Sequence, residues 1–121
     1  MNKKIKATGI NLNPEIEIYL DERLQTIEKI VGSSSQNILC EIELGKTTAH
    51  HQTGDIFRAE INLSVVGDQL RAEAESSDLN SAIDKMKDEI ANALRSFKGK
   101  RQSLVKRGGA RIKELLRKFY K

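Results

Sequence analysis

The side chains able to do chemistry in this 121-residue sequence are few, and most sit where catalysis would not place them. His50 and His51 are the only histidines, and adjacent residues on a strand point to opposite sides. No Cys or acidic cluster at ligand spacing completes a metal site around them. Cys40 is the only cysteine and falls at an apolar strand position, where a thiol packs as a small hydrophobe. Glu41, Glu43, Glu60, Glu73 and Glu75 fall at outward strand positions with Arg58 and Arg71 among them. Paired carboxylates can carry acid–base work, but carboxylates interleaved with arginines read as a salt-bridged, solvated sheet face. There is no G-x-x-x-x-G-K-[ST] phosphate loop. The expectation is a protein that is not an enzyme and needs neither metal nor cofactor.

Charge is the stronger signal. From Arg95 to Lys121 eleven Lys and Arg face one acid, Glu114, a net +10. The remainder holds ten basic and sixteen acidic residues, a net −6, so the whole-chain +4 hides the split. Segregated positive charge points to a polyanion, most often nucleic acid.

The elements that would carry this charge follow from hydrophobic period. Ile5, Ala7 and Gly9 alternate with Lys4, Lys6 and Thr8, a first strand. Asn13-Pro14 opens a helix with Ile16, Leu20, Leu24, Ile27 and Val31 on one stripe, ended by Gly32-Ser33-Ser34-Ser35. Three one-face strands follow: Ile38–Leu44, Phe57–Val65 and Leu70–Glu75, with residues 45–55 as a longer connection and Gly67-Asp68 as a tight turn. Ser77 or Asp78 caps a second helix, in which Leu79, Ile83, Met86, Ile90, Leu94 and Phe97 keep helical spacing.

The order β-α-β-β-β-α predicts an α+β two-layer sandwich, a four-stranded sheet with both helices on its apolar face. A C-terminal basic extension follows. Residues 1–98 form the domain; residues 99–121 read as a glycine-bearing linker (99–109) and a short amphipathic helix from Ala110 to Tyr120. With no apolar run long enough to span a bilayer, no h-region after the N-terminal lysines and a single cysteine, a cytoplasmic protein is expected.

RNA-binding sheets stack bases on exposed aromatics, and none stands at an outward strand position here. Helices and loops should therefore meet any RNA. Lys85, Lys87, Arg95 and Lys98 lie off the apolar stripe of the second helix, and Lys100-Arg101 extend the run. Arg23 and Lys29 on the first helix, Lys46 and the His50-His51 loop could widen the patch. Asp84, Lys85, Asp88 and Glu89 taken alone read as a solvated helix face.

The sequence resembles the ribosome hibernation promoting factor family, also called ribosome-associated inhibitors or ribosomal subunit interface proteins. The resemblance covers about residues 3–98 and rests on Ile5–Gly9, Glu22-Arg23-Leu24, Phe57–Leu63, Leu70–Glu75 and Asp78–Asp84. Its most specific piece is Arg71-Ala72-Glu73-Ala74-Glu75 leading into Asp78-Leu79-Asn80-Ser81-Ala82-Ile83-Asp84. It implies binding to the small ribosomal subunit and its rRNA in the mRNA/tRNA channel, which blocks translation and preserves idle ribosomes. By position it singles out Arg23, Lys29, Lys85, Arg95, Lys98, Lys100 and Arg101. The basic tail, with Lys106, Arg107 and Arg111, is not part of the family's common core. It would touch further rRNA or, through its short helix, a ribosomal protein. The separate C-terminal domain through which long members pair ribosomes is absent from the sequence, and a monomer off the ribosome is expected. A general double-stranded RNA binder is the alternative; membrane attachment through the tail is not expected.

Overall fold

The computed structural model describes residues 1–32, 38–47, 54–65 and 68–119, with side chains described through Gly99. The elements run β1 (Asn2–Thr8), α1 (Pro14–Val31), β2 (Leu39–Thr47), β3 (Ile56–Val65), β4 (Asp68–Ser76) and α2 (Leu79–Phe119). This is the expected α+β order. The sheet order is β1-β2-β3-β4, with β1 parallel to β2 and the other pairs antiparallel. A parallel pair cannot be joined by a hairpin, so α1 serves as the crossover between β1 and β2.

α1 starts where the sequence places its cap. The Asn13 side-chain oxygen accepts from the Ile16 N–H at 2.8 Å, Pro14 takes the first helical turn, and Glu15 and Glu17 meet the positive end of the dipole. Gly32, at φ 73°, ends the helix and donates its N–H to the Glu28 carbonyl. Asp78 rather than Ser77 caps α2: its two carboxylate oxygens accept from the backbone N–H and the hydroxyl of Ser81, each at 2.8 Å. These bonds to its anionic form hold the Asp78 carboxyl below its usual range.

One core joins both helices to one face of the sheet. Leu20, Leu24, Ile27 and Val31 of α1 and Leu79, Ile83, Met86, Ile90 and Leu94 of α2 pack on Cys40, Ile42, Leu44, Ala59, Ile61, Leu63, Val65, Ala72 and Ala74. Phe57 and Phe97 are half-buried at its margin. Ile5, expected on the apolar face, is 38% exposed because β1 is an edge strand. Its neighbour Lys3 is half-buried and sits 3.1 Å from Asp21 and 2.9 Å from Glu28 of α1. Burial pulls the Lys3 ammonium down, but the hydrogen bonds it donates to Glu28 and Asp21 outweigh this and the net shift is upward.

Among the boundaries that differ from the sequence reading, three have an identifiable cause. β1 stops at Thr8, because Gly9 turns the chain at φ +73°, where a Cβ would stand 2.9 Å from the Lys46 carbonyl oxygen. β2 runs on through Gly45, Lys46 and Thr47, which the sequence assigned to a connection; their pairing with Arg58, Phe57 and Ile56 holds them in the ladder. The third concerns the expected linker at 99–109: α2 continues through it as one helix to Phe119. Gly99, Gly108 and Gly109 each cost about 1 kcal/mol in a helix. An already nucleated helix, however, gains a hydrogen bond with every residue added. His50, His51, Ser33 to Ser35, Gly67 and Tyr120 lie outside the described residues.

Candidate nucleic-acid interface

The two layers present surfaces of different chemistry. On the open sheet face Arg58 pairs with Glu73 at 2.6 Å, with Glu60, and with Glu43 at 4.0 Å. Arg71 reaches Glu60 at 3.1 Å and Glu73 at 3.2 Å. The register makes this inevitable: Glu43 stands opposite Glu60, Glu60 opposite Glu73, and Arg58 and Arg71 flank them on the same face. Arg58, through its hydrogen bond, holds the Glu73 carboxyl below its usual range. The carboxylates are therefore occupied as anions by arginines, and no base could stack among them. Lys4 and Lys6 of β1, exposed and opposite Glu41 and Glu43, are cations on this face that the sequence reading did not weigh.

The helical face is organised by a contact between α1 and α2. Arg23 Nε donates to Asp84 Oδ1 at 3.0 Å, and the Tyr19 hydroxyl donates to Asp84 Oδ2 at 2.8 Å. The Arg23 guanidinium lies 3.7 Å from the centre of the Tyr19 ring and also reaches Glu22 at 3.1 Å. Asp84 was expected to be merely solvated; it is instead the shared acceptor of a helix–helix tie. Burial raises its carboxyl, but the hydrogen bonds from Tyr19 and Arg23 outweigh that and leave it below its usual range. The groove here is lined by Glu22, Arg23, Thr26, Asp84, Lys87 and Asp88, and Lys87 is itself paired with Asp88 at 2.7 Å. With three acids against two bases it is no phosphate site as it stands.

The remaining candidates divide by what holds them. Lys98 Nζ donates to the Ile30 carbonyl at 2.7 Å, capping the last turn of α1 with positive charge. Because Arg23, midway along α1, meets Asp84 near the start of α2, and Ile30 at the end of α1 meets Lys98 further along α2, the two helices run parallel. Lys85 reaches the Glu75 carbonyl at 3.5 Å and remains exposed. Arg95 is exposed, with Asn92 at 3.4 Å. Lys29 is exposed and has no ion-pair partner among the described residues. Lys46 is drawn to Asp55 at 3.0 Å and to the Phe57 ring at 5.8 Å. Lys100, Arg101, Lys106, Arg107 and Arg111 lie along the continued helix of α2, beyond the described side chains.

Sequence reading missed the Tyr19–Arg23–Asp84 tie and the Lys3 bridge. Tyr19 and Arg23 are four apart on one helix face, a detectable local signal, but Asp84 lies 61 residues further on. Among the described residues no cluster of His, Cys, Asp and Glu could hold a metal ion. Cys40 is fully buried, and burial pushes its thiol up to about 12. No helix is long and apolar enough to cross a membrane among the described residues.

A family model described as Sigma 54 modulation protein / S30EA ribosomal protein matches residues 4–102. The chain belongs to this family. The match takes in the sandwich of this family member except for Asn2 and Lys3 of β1, and ends just after Arg101, leaving most of the basic stretch of α2 beyond it. No curated protein matches the chain. Two similar solved structures share the fold of this S30EA-family chain. The N-terminal domain of Protein Y from Thermus thermophilus is 21% identical at a TM-score of 0.66, covering 80% of this chain and 99% of that one. A ribosomal subunit interface protein from Coxiella burnetii is 16% identical at a TM-score of 0.67, covering 82% of this chain and 99% of that one.

Proposed function

We propose that this protein is a ribosome hibernation factor. It binds the small ribosomal subunit at the mRNA/tRNA channel through rRNA contacts, inhibits translation and preserves idle ribosomes. The observation that carries this reading is the family match across residues 4–102, in a chain whose positive charge is gathered at one end. The similarity to a protein named for the ribosomal subunit interface supports the same partner. The mode of action is occupation rather than catalysis: a body wedged in the channel excludes mRNA and tRNA by volume. No cofactor is called for, and the cytoplasm is where this partner is met.

Lys/Arg–phosphate pairing with counterion release supplies the affinity, so binding weakens steeply with salt. Such contacts position a protein without reading sequence. Lys29, Lys85 and Arg95 contact rRNA, and Lys100, Arg101, Lys106, Arg107 and Arg111 extend the contact. Arg23 and Lys98 contribute chiefly by holding the two helices in place. Off the ribosome the protein is a monomer.

Co-sedimentation with purified small subunits across a salt series tests this. The expected result is tight binding that weakens steeply with salt and is lost when Arg95, Lys100 and Arg101 are changed to Glu. A flat salt dependence would overturn it. Equal affinity for a free RNA duplex would favour a general double-stranded RNA binder instead.

A further inference from the structure

The described contacts between α2 and the rest of the protein end before the helix does. Strands of nine or ten residues span about 30 Å, and α2 from Leu79 to Lys98 covers the same length. Among the described side chains, the last buried residue of α2 is Leu94, Phe97 is half-buried at the margin, and Lys98 makes the last tie to the body, at Ile30. From Lys100 to Phe119 the helix continues for about another 30 Å. That stretch holds eight Lys and Arg and one acid, Glu114. By contrast α1 carries five acids and two bases, and α2 as far as Lys98 carries three acids and four bases.

The cations are also placed by helical spacing. Leu104, Ile112, Leu115 and Phe119 fall on one row, which continues the row of Leu94 and Phe97. Lys106, Arg107, Lys113, Arg117 and Lys118 fall on the opposite arc. Pairing with the same helix of a second copy would bring together two stretches that each hold eight bases and one acid, like charge beside like. An anionic membrane would need an unbroken apolar stripe, and Arg101 and Gly108 interrupt this one.

We propose that α2 beyond Lys98 is a helical arm that grips RNA phosphates and supplies most of the electrostatic affinity, while the acidic stretch of α1 from Glu15 to Glu22 is turned away from the RNA and Lys29, at the other end of that helix, stays on the RNA side. This rests on the rRNA-binding reading above and deepens it. Each phosphate contact lowers the dependence of log affinity on log salt by about 0.7–0.9 when it is removed. The arm works as a helix, because only a fixed helix keeps those five cations on one arc.

The test is binding of the full chain to isolated small subunits over a salt series, with two variants whose melting is checked. Changing Lys106, Arg107, Arg111 and Lys113 together to Gln should weaken binding at least tenfold and flatten the salt slope by about 3. Val105→Pro keeps every charge but breaks the helix, and should weaken binding several-fold. Unchanged affinity and slope in the Gln variant, beside a wild-type protein that still binds, would overturn the arm and leave ribosome binding standing. Wild-type affinity in Val105→Pro would overturn the helical arm. Failure of the wild-type protein to bind would remove both readings. Arm-dependent binding to phosphatidylserine vesicles, with subunit binding unaffected by the Gln changes, would assign the arm to membranes and overturn the proposal.

Discussion

Arg23 and Asp84 are joined at 3.0 Å across 61 residues of sequence, and Tyr19 closes the contact by donating to the second Asp84 oxygen at 2.8 Å. A basic residue facing outward on α1 is thereby spent on helix registration. Asp84→Asn should lower stability by about 0.5–1 kcal/mol, the usual range for a part-exposed pair, as read from the urea midpoint. Its ribosome affinity at low salt should stay within twofold of wild type. A tenfold gain on freeing Arg23 would show that the guanidinium can be recruited to phosphate.

The same contact should leave a pH signature. The folded-state carboxyl of Asp84 lies below its usual 3.8, so its contribution is present above that value and is lost as pH falls through the lowered one. Tyr19, held above its usual 10.0 by its hydrogen bond to Asp84, contributes below that value and loses its contribution as pH rises through the raised one. The stability difference between wild type and Asp84→Asn should therefore be flat from about pH 5 to about pH 9 and shrink below about pH 4. Urea titrations at pH 3 and pH 7 check this.

Gly9 and Gly32 both sit at φ +73° but differ in surroundings. A Cβ on Gly32 meets nothing within 4 Å, whereas one on Gly9 would stand 2.9 Å from the Lys46 carbonyl oxygen. Gly32→Ala should cost about 1–3 kcal/mol for backbone alone, because φ 73° with ψ −138° is a conformation that few residues but Gly adopt. Gly9→Ala should cost clearly more, because backbone of the adjoining strand must move. Thermal melts of the two variants compare them directly.

Cys40 should behave as core. It is fully buried, and burial pushes its thiol up to about 12, so little thiolate exists at neutral pH. An aromatic disulfide reagent at pH 8 should label it only as fast as the protein unfolds. Labelling within seconds under native conditions would contradict the packing described.

Changes on the open sheet face should spare ribosome binding. Arg71→Gln removes contacts to Glu60 and Glu73 on a part-exposed face, and the expected change in subunit affinity is less than twofold. A tenfold loss would place the sheet rather than the helices against the ribosome.

The sequence by itself determined the element order, the cap at Asn13, the choice of Ser77 or Asp78 as the cap of α2, and the apolar stripes of both helices. Each of these is set by neighbours within a turn of helix or a strand pair, and local period reports them directly. It also determined the charge split and the aromatic-free sheet face, which composition alone reveals. Only the tertiary structure decided what individual charges do. Arg23, Lys98 and Lys3 resemble any other surface cations in a pattern of residues, yet each is committed to an oxygen on another element. The same holds for the expected linker: Gly99, Gly108 and Gly109 signal a break, but a helix already nucleated and packed from Leu79 carries through them to Phe119. Periodicity reports the environment of a segment, whereas an ion pair depends on two side chains arriving at one point, and the fold alone sets that distance.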